Sequence, residues 1–173
     1  MSLVRTGYTV LIDAGSSNSA IADALPDHMG LTVITTAPDI AQRLMDRHGF
    51  EILLIGGRID IHTGSAVGIQ TALEIRRVRA DVCFPGTCAI DRDTGIWGMN
   101  NEEALVKHAM IESSRETAVV VTTDKFSAIA PYQIATLDRI DHLVVEHGID
   151  NNVLEPFEAA SVTVHRADRG AAD

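Results

Sequence analysis

Asp13-Ala14-Gly15-Ser16-Ser17 stands between an apolar β-branched run, Val10-Leu11-Ile12, and helical spacing at Ile21, Ala24 and Leu25. Strand, small-residue turn and helix, in that order, aim unpaired backbone N–H groups and the positive end of a helix dipole at an anion. Gly15 would let the backbone approach a phosphate closely. The same residues also make an ordinary cap, since Ser16, Ser17 and Asn18 are N-cap types and Asp13 can close a turn. The stretch lacks the Lys of a P-loop and the third Gly of a dinucleotide fingerprint, so spacing alone leaves both readings open.

Glu103 and Lys107 lie four residues apart in a helical stretch and share one face. They form either an exposed pair worth a few tenths of a kcal/mol, or a cleft face on which Glu103 accepts hydroxyls and Lys107 supplies charge. Lys125, in Thr122-Thr123-Asp124-Lys125 after a buried strand, is either a compact cation for a phosphate or sugar oxygen or a solvated loop lysine. Trp97, the single tryptophan, is a stacking lid or a buried loop anchor. Cys83 and Cys88 read as reduced packing thiols, and the seven histidines form no ligand cluster, so neither a metal nor a cofactor is expected. No nucleophile elbow or Walker A loop occurs.

Those residues need a scaffold, and the chain alternates strand and helix patterns. Strands are expected at Tyr8 to Ile12, Leu31 to Thr35, Glu51 to Ile55, Asp81 to Pro85, Ala118 to Val121 and within DHLVVEHG, with SVTVHR as an edge strand. Helices are expected at Ser17 to Leu25, Pro38 to Arg47 with Gly49 as its stop, Gln70 to Arg77 and Glu102 to Ser114. This is the grammar of an α/β fold, a mainly parallel sheet flanked by helices. Gly56 to Gly68 reads as two short strands around a His62-Thr63-Gly64 turn, and GTCAIDRDTGIWGMNN as a long functional loop. With the strands parallel, the Asp13 turn, the Gly86-Thr87 loop and the Lys125 loop share one sheet edge.

A chain of 173 residues with 46% hydrophobic content fits one packed domain. No apolar run approaches the roughly 20 residues of a membrane span, and no secretory leader is evident, so the expected compartment is the cytoplasm. The formal charge of −10 argues against this segment gripping nucleic acid itself. The Arg76-Arg77-Val78-Arg79 cluster is better explained as the basic end of a helix. Residues 1–7 are expected as a leader or linker remnant, 8–166 as the domain and 167–173 as a flexible tail.

In order, VLIDAGSSNSAIADAL, LTVITTAPDIAQRL, EILLIGGRIDIHTGSAVG, ADVCFPGTCAID, NNEEALVKHAMIESS and VVVTTDKF resemble the C-terminal sensor domain of the DeoR-type sugar-responsive transcriptional regulators. The resemblance covers about Thr9 to Gly148. It implies a fold shared with ribose-phosphate isomerases and CoA-transferases, a phosphorylated sugar or related metabolite as effector, and a homo-oligomer. It also implies a winged helix-turn-helix upstream, absent from this chain, through which DNA would be bound. By the same resemblance the ligand residues are Asp13, Gly15, Ser16, Ser17, Thr35, Gly56, Gly57, Gly86, Thr87, Glu103, Lys107 and Lys125. The chain departs from the family pattern at Thr36, Ala89, Leu105 and Thr122, which puts the effector's identity in question.

Two functions compete at this level. One is a binding module whose occupancy alters operator affinity, most commonly relieving repression. The other is an aldose-ketose phosphate isomerase with Glu103 as base and Lys125 or Lys107 stabilising an enediolate. The chain resembles the regulators more closely, and the expectation is a protein that is not an enzyme.

Overall fold

In a computed structural model of the chain, residues 3–167 are described. The first half runs β1 (Thr9–Ile12), α1 (Ser16–Ala24), β2 (Leu31–Thr35), α2 (Pro38–Met45), β3 (Phe50–Leu54), β4 (Arg58–Asp60), β5 (Ser65–Val67), α3 (Ile69–Ile75) and β6 (Ala80–Phe84). The second half continues β7 (Ala89–Asp91), β8 (Gly95–Gly98), α4 (Asn101–Glu112), β9 (Ser114–Val121), a 3-10 turn (Thr123–Phe126), β10 (Tyr132–Ala135), β11 (His142–Val145), α5 (Asn151–Ala159) and β12 (Thr163–Arg166).

Seven strands form the main sheet in the order β12-β11-β9-β6-β1-β2-β3, and every neighbouring pair is parallel. Helices cover both faces, which is why the central strands read as unbroken apolar runs. Along β1 the alternation is nonetheless visible. Val10 and Ile12 join a core with Ile21 of α1 and Leu44 of α2, whereas Leu11 joins Ile75 of α3 and Met110 of α4 on the other face. β1, β6 and β9 lie side by side in the middle of the sheet.

Three details differ from the sequence expectations. The long loop after β6 contains a hairpin, β7 and β8, that pairs with β10 in a three-stranded antiparallel sheet. Its turn is closed by Asp91 Oδ1, which accepts from the Asp93 and Thr94 N–H groups and the Thr94 hydroxyl. Strands of three and four residues are too short to display a period. α5 carries Pro156 in its interior, which interrupts the helical pattern. Gly49 does not stop α2, which ends at Met45. It adopts φ +87° where a Cβ would lie 2.7 Å from the His28 backbone.

Residues 3–7, expected as a leader, pack: Leu3 and Val4 are buried, and the Gly7 N–H donates to the Met29 carbonyl. At the other end the Ala167 N–H still donates to Val145, and the remainder of the expected tail, 168–173, lies outside the described residues. Among the described residues, no helix is long and apolar enough to cross a membrane.

Candidate ligand-binding cleft

Parallel strands present all their carboxyl ends on one edge, so the residues that follow β1, β6 and β9 converge there. A cavity of about 240 Å³ opens at that edge. Of the residues singled out from sequence, Asp13, Gly15, Ser16, Ser17, Gly86, Thr87, Glu103, Lys107 and Lys125 line it.

The floor is a buried ionic network. Asp13, immediately after β1, is 2% exposed, Glu103 6% and Lys107 4%. The Asp13 carboxylate accepts from the Gly86 N–H at 2.9 Å and lies 3.3 Å from Lys107 Nζ, which also donates to Glu103. Gly86 leaves room for this approach: a Cβ there would stand 3.0 Å from Asp13 Oδ2 and 3.2 Å from Lys107 Nζ, and the network would have to shift to admit it. Burial opposes the charge on Lys107, but the carboxylates of Asp13 and Glu103 outweigh it and hold the ammonium above the ordinary lysine range. Two carboxylates against one ammonium leave the network net acidic. Glu103 and Lys107 are thus a buried pair on the cleft wall rather than an exposed one.

The wall contributed by α1 has the opposite polarity. Its N-cap, Gly15, adopts φ +116°, and no side chain among the described residues caps the helix. The first helical bond runs from the Ser19 N–H to the Gly15 carbonyl, so the N–H groups of residues 16–18 precede it. Asn18 is not a cap. Its amide donates to the Phe84 carbonyl at 2.9 Å and to the Ala14 carbonyl, pinning the turn to β6. Lys125 is 3.2 Å from Asp124 with about a third of its side chain exposed.

Three expected residues lie elsewhere. The Thr35 hydroxyl accepts from the Ala37 N–H at the entry to α2. The Gly56 carbonyl accepts from the Thr71 hydroxyl, and a Cβ at Gly57 would fall 2.1 Å from Thr71 Oγ1. None of the three lines the cavity. Trp97 is neither lid nor buried anchor: it is a strand residue of β8 whose ring N–H donates to Thr94. Its carbonyl accepts from the Cys88 N–H and the Thr87 hydroxyl, so its backbone positions the cleft residues.

Sequence reasoning missed His62, Thr63, Asn18 and Cys88 as lining residues. The turn holding His62 and Thr63 was legible, but only the register of the hairpin against α4 carries it to the cleft. Both cysteines are free thiols; Cys83 is enclosed, and burial pushes it up to about 11.

A polar cleft at the carboxyl edge of a parallel sheet is where α/β domains of this architecture hold their ligands. Residues 1–147 match the family model described as the DeoR C terminal sensor domain, and the chain belongs to that family. It is 31% identical over 138 residues to the glycerol-3-phosphate regulon repressor of Escherichia coli K12, covering 80% of this chain and 55% of the relative. It is 32% identical over 156 residues to the glycerol-3-phosphate regulon repressor of Haemophilus influenzae, covering 88% and 61%. With the HTH-type transcriptional regulator GlpR of Haloferax volcanii it shares 29% identity over 158 residues, covering 91% and 62%. The chain thus spans between 55% and 62% of the length of these relatives. A ribose 5-phosphate isomerase from Plasmodium falciparum aligns with TM-score 0.46 and 13% identity over 72% of this chain and 47% of that one, a likeness too loose to speak to chemistry.

Proposed function

We propose that this sensor domain binds a phosphorylated sugar or related small metabolite, and that occupancy of the cleft modulates DNA binding by a helix-turn-helix domain outside this chain. The observation that carries the reading is the uncapped N-terminus of α1 opening on the same cavity as the buried Asp13–Lys107–Glu103 network. The N–H groups of residues 16–18, with Lys125 nearby, suit a phosphate. The net acidic network suits hydroxyls, which donate to carboxylates. The names of the relatives, repressors of a glycerol-3-phosphate regulon among them, support the same ligand chemistry.

Binding without turnover fits better than isomerisation, because the named relatives are repressors; Glu103 pairs with Lys107 through Oε1, which leaves Oε2 to accept a hydroxyl. The effector acts by binding one arrangement of the domain more tightly than another, in the direction of relieved repression in the cytoplasm. Leu53 and Leu54, exposed on the edge strand β3, support a homo-oligomer.

Thermal denaturation against a panel of sugar phosphates tests the proposal. Ligand at 100 times its Kd stabilises by about 2.7 kcal/mol, or roughly 5–10 °C in Tm for a domain of this size. One phosphorylated sugar should give such a shift, lost in Asp13→Ala and Lys125→Ala. Silence across the panel, inorganic phosphate included, would overturn it; turnover of ribose 5-phosphate would restore the enzyme reading.

A further inference from the structure

The β4–β5 hairpin is not merely a connector. It pairs Arg58 with Val67, Ile59 with Ala66 and Asp60 with Ser65, and its tip places His62 and Thr63 on the cleft wall. Asp60 organises that tip. One carboxylate oxygen accepts from the His62 N–H at 2.8 Å and the Thr63 N–H at 3.3 Å. The other accepts from the Asn100 side chain at 3.3 Å. Asn100 is itself the N-cap of α4 and accepts from the Glu102 and Glu103 N–H groups. Arg58 pairs with Glu102 on the same first turn. The hairpin tip and the helix bearing Glu103 and Lys107 are therefore held as one piece.

We propose that His62 and Thr63 read the hydroxyl-bearing part of the ligand beyond its phosphate, and that Asp60 and Asn100 position them for it. This rests on the sensor reading above and narrows its ligand class. The phosphate has its donors on α1. What remains of the cleft is walled by hydrogen-bonding groups, His62 and Thr63 among them, over the acidic Asp13–Lys107–Glu103 network. Two carboxylates already neutralise Lys107, so a second phosphate would meet net negative charge there, whereas hydroxyls find acceptors below and an imidazole above. The fitting ligand is a monophosphorylated polyol or sugar. Its affinity should depend on His62 only insofar as the ligand extends past the phosphate.

The experiment is calorimetric titration of wild type, His62→Ala and Asp60→Ala with inorganic phosphate, glycerol 3-phosphate and ribose 5-phosphate. With each protein, ligand-free melting reports whether the fold is intact. Loss of one ligand hydrogen bond corresponds to roughly a three- to tenfold weaker Kd. His62→Ala should weaken whichever sugar phosphate binds wild type by about that factor while leaving inorganic phosphate within twofold, and Asp60→Ala should reproduce the split if it folds. Equal affinity of His62→Ala and wild type for the sugar phosphate would overturn the proposal and leave the sensor reading standing. A uniform loss for phosphate and sugar phosphate alike would also overturn it, by showing that the hairpin only supports the fold. Wild type that binds none of the three would overturn the sensor reading, and this proposal with it.

Discussion

Two glycine-bearing turns follow parallel strands of one sheet, Gly15 after β1 and Gly57 after β3, and they do opposite work. Gly15 has φ +116° and nothing within 4 Å of where its Cβ would lie. Its glycine is required by backbone conformation, and the space beside it is the mouth of a cleft. At Gly57 a Cβ would fall on the Thr71 hydroxyl at 2.1 Å. There φ is positive too, at +157°, but the space beside the glycine is already filled by the Thr71 side chain. A glycine at the end of a strand therefore marks close approach, but only the surrounding atoms say whether a ligand or the protein makes it.

The largest expected effect falls on the network beneath the first turn. Lys107→Ala strands two buried carboxylates, and breaking a buried pair in this way costs about 3–5 kcal/mol. Urea unfolding at neutral pH measures it; a loss below about 1 kcal/mol would show that the turn does not depend on the ammonium. The pH dependence follows in sign. Because Lys107 is held above its ordinary value, its contribution is present below the ordinary lysine range and is lost as pH rises through the raised value. The variant should lack that alkaline limb.

Next comes Gly57→Ala, which forces a methyl against Thr71 at a cost of about 1–3 kcal/mol. In a Thr71→Ala background the cost should shrink, the coupling expected of residues in contact. An unchanged cost would place the strain elsewhere. Gly15→Ala meets no neighbour, so only its positive φ is penalised, by about 1–2 kcal/mol. It should lose phosphate affinity as well, a property that Gly57→Ala retains in the molecules that fold. Titration of both variants with inorganic phosphate separates the two turns.

The smallest effect is a control at the far edge of the sheet, where His165 of β12 lies 3.2 Å from His142 of β11, itself beside Glu116 of β9. Burial first, and then the charge of His142, hold His165 below the ordinary histidine range. Its contribution is therefore present above the ordinary value of about 6.5 and is lost as pH falls through and below it. His165→Gln should flatten the fall in Tm between about pH 7 and 5 without changing ligand binding. An unaltered slope would assign the acid sensitivity to other groups.

Much of the scaffold was legible because fully buried parallel strands leave unmistakable apolar runs, and because their alternation with helices marks a parallel sheet; the order of the strands was not. The turn after β1 was legible for the same reason: it lies within a few residues of a clear strand and a clear helix. What sequence could not supply was distance. Gly56, Gly57 and Thr35 look like cleft residues until the Gly56 carbonyl and the Thr35 hydroxyl are seen bonded to Thr71 and Ala37, and the Thr71 hydroxyl is seen against Gly57. His62 and Thr63 look like an ordinary hairpin tip until Asn100, roughly forty residues on, draws Asp60 toward α4. The β7–β8 hairpin escaped because its strands of three and four residues show too few alternations to stand out in a long loop, and its turn is fixed by a single carboxylate.

The central claim is that the first turn holds an anion and the second does not. Amide chemical shifts of the labelled domain, followed while glycerol 3-phosphate or ribose 5-phosphate is titrated, test it residue by residue. The account predicts the largest movements at Ser16, Ser17, Asn18 and Gly86, with Gly56 and Gly57 nearly still. Saturable shifts centred on Gly56 and Gly57, with the α1 amides unmoved, would contradict it.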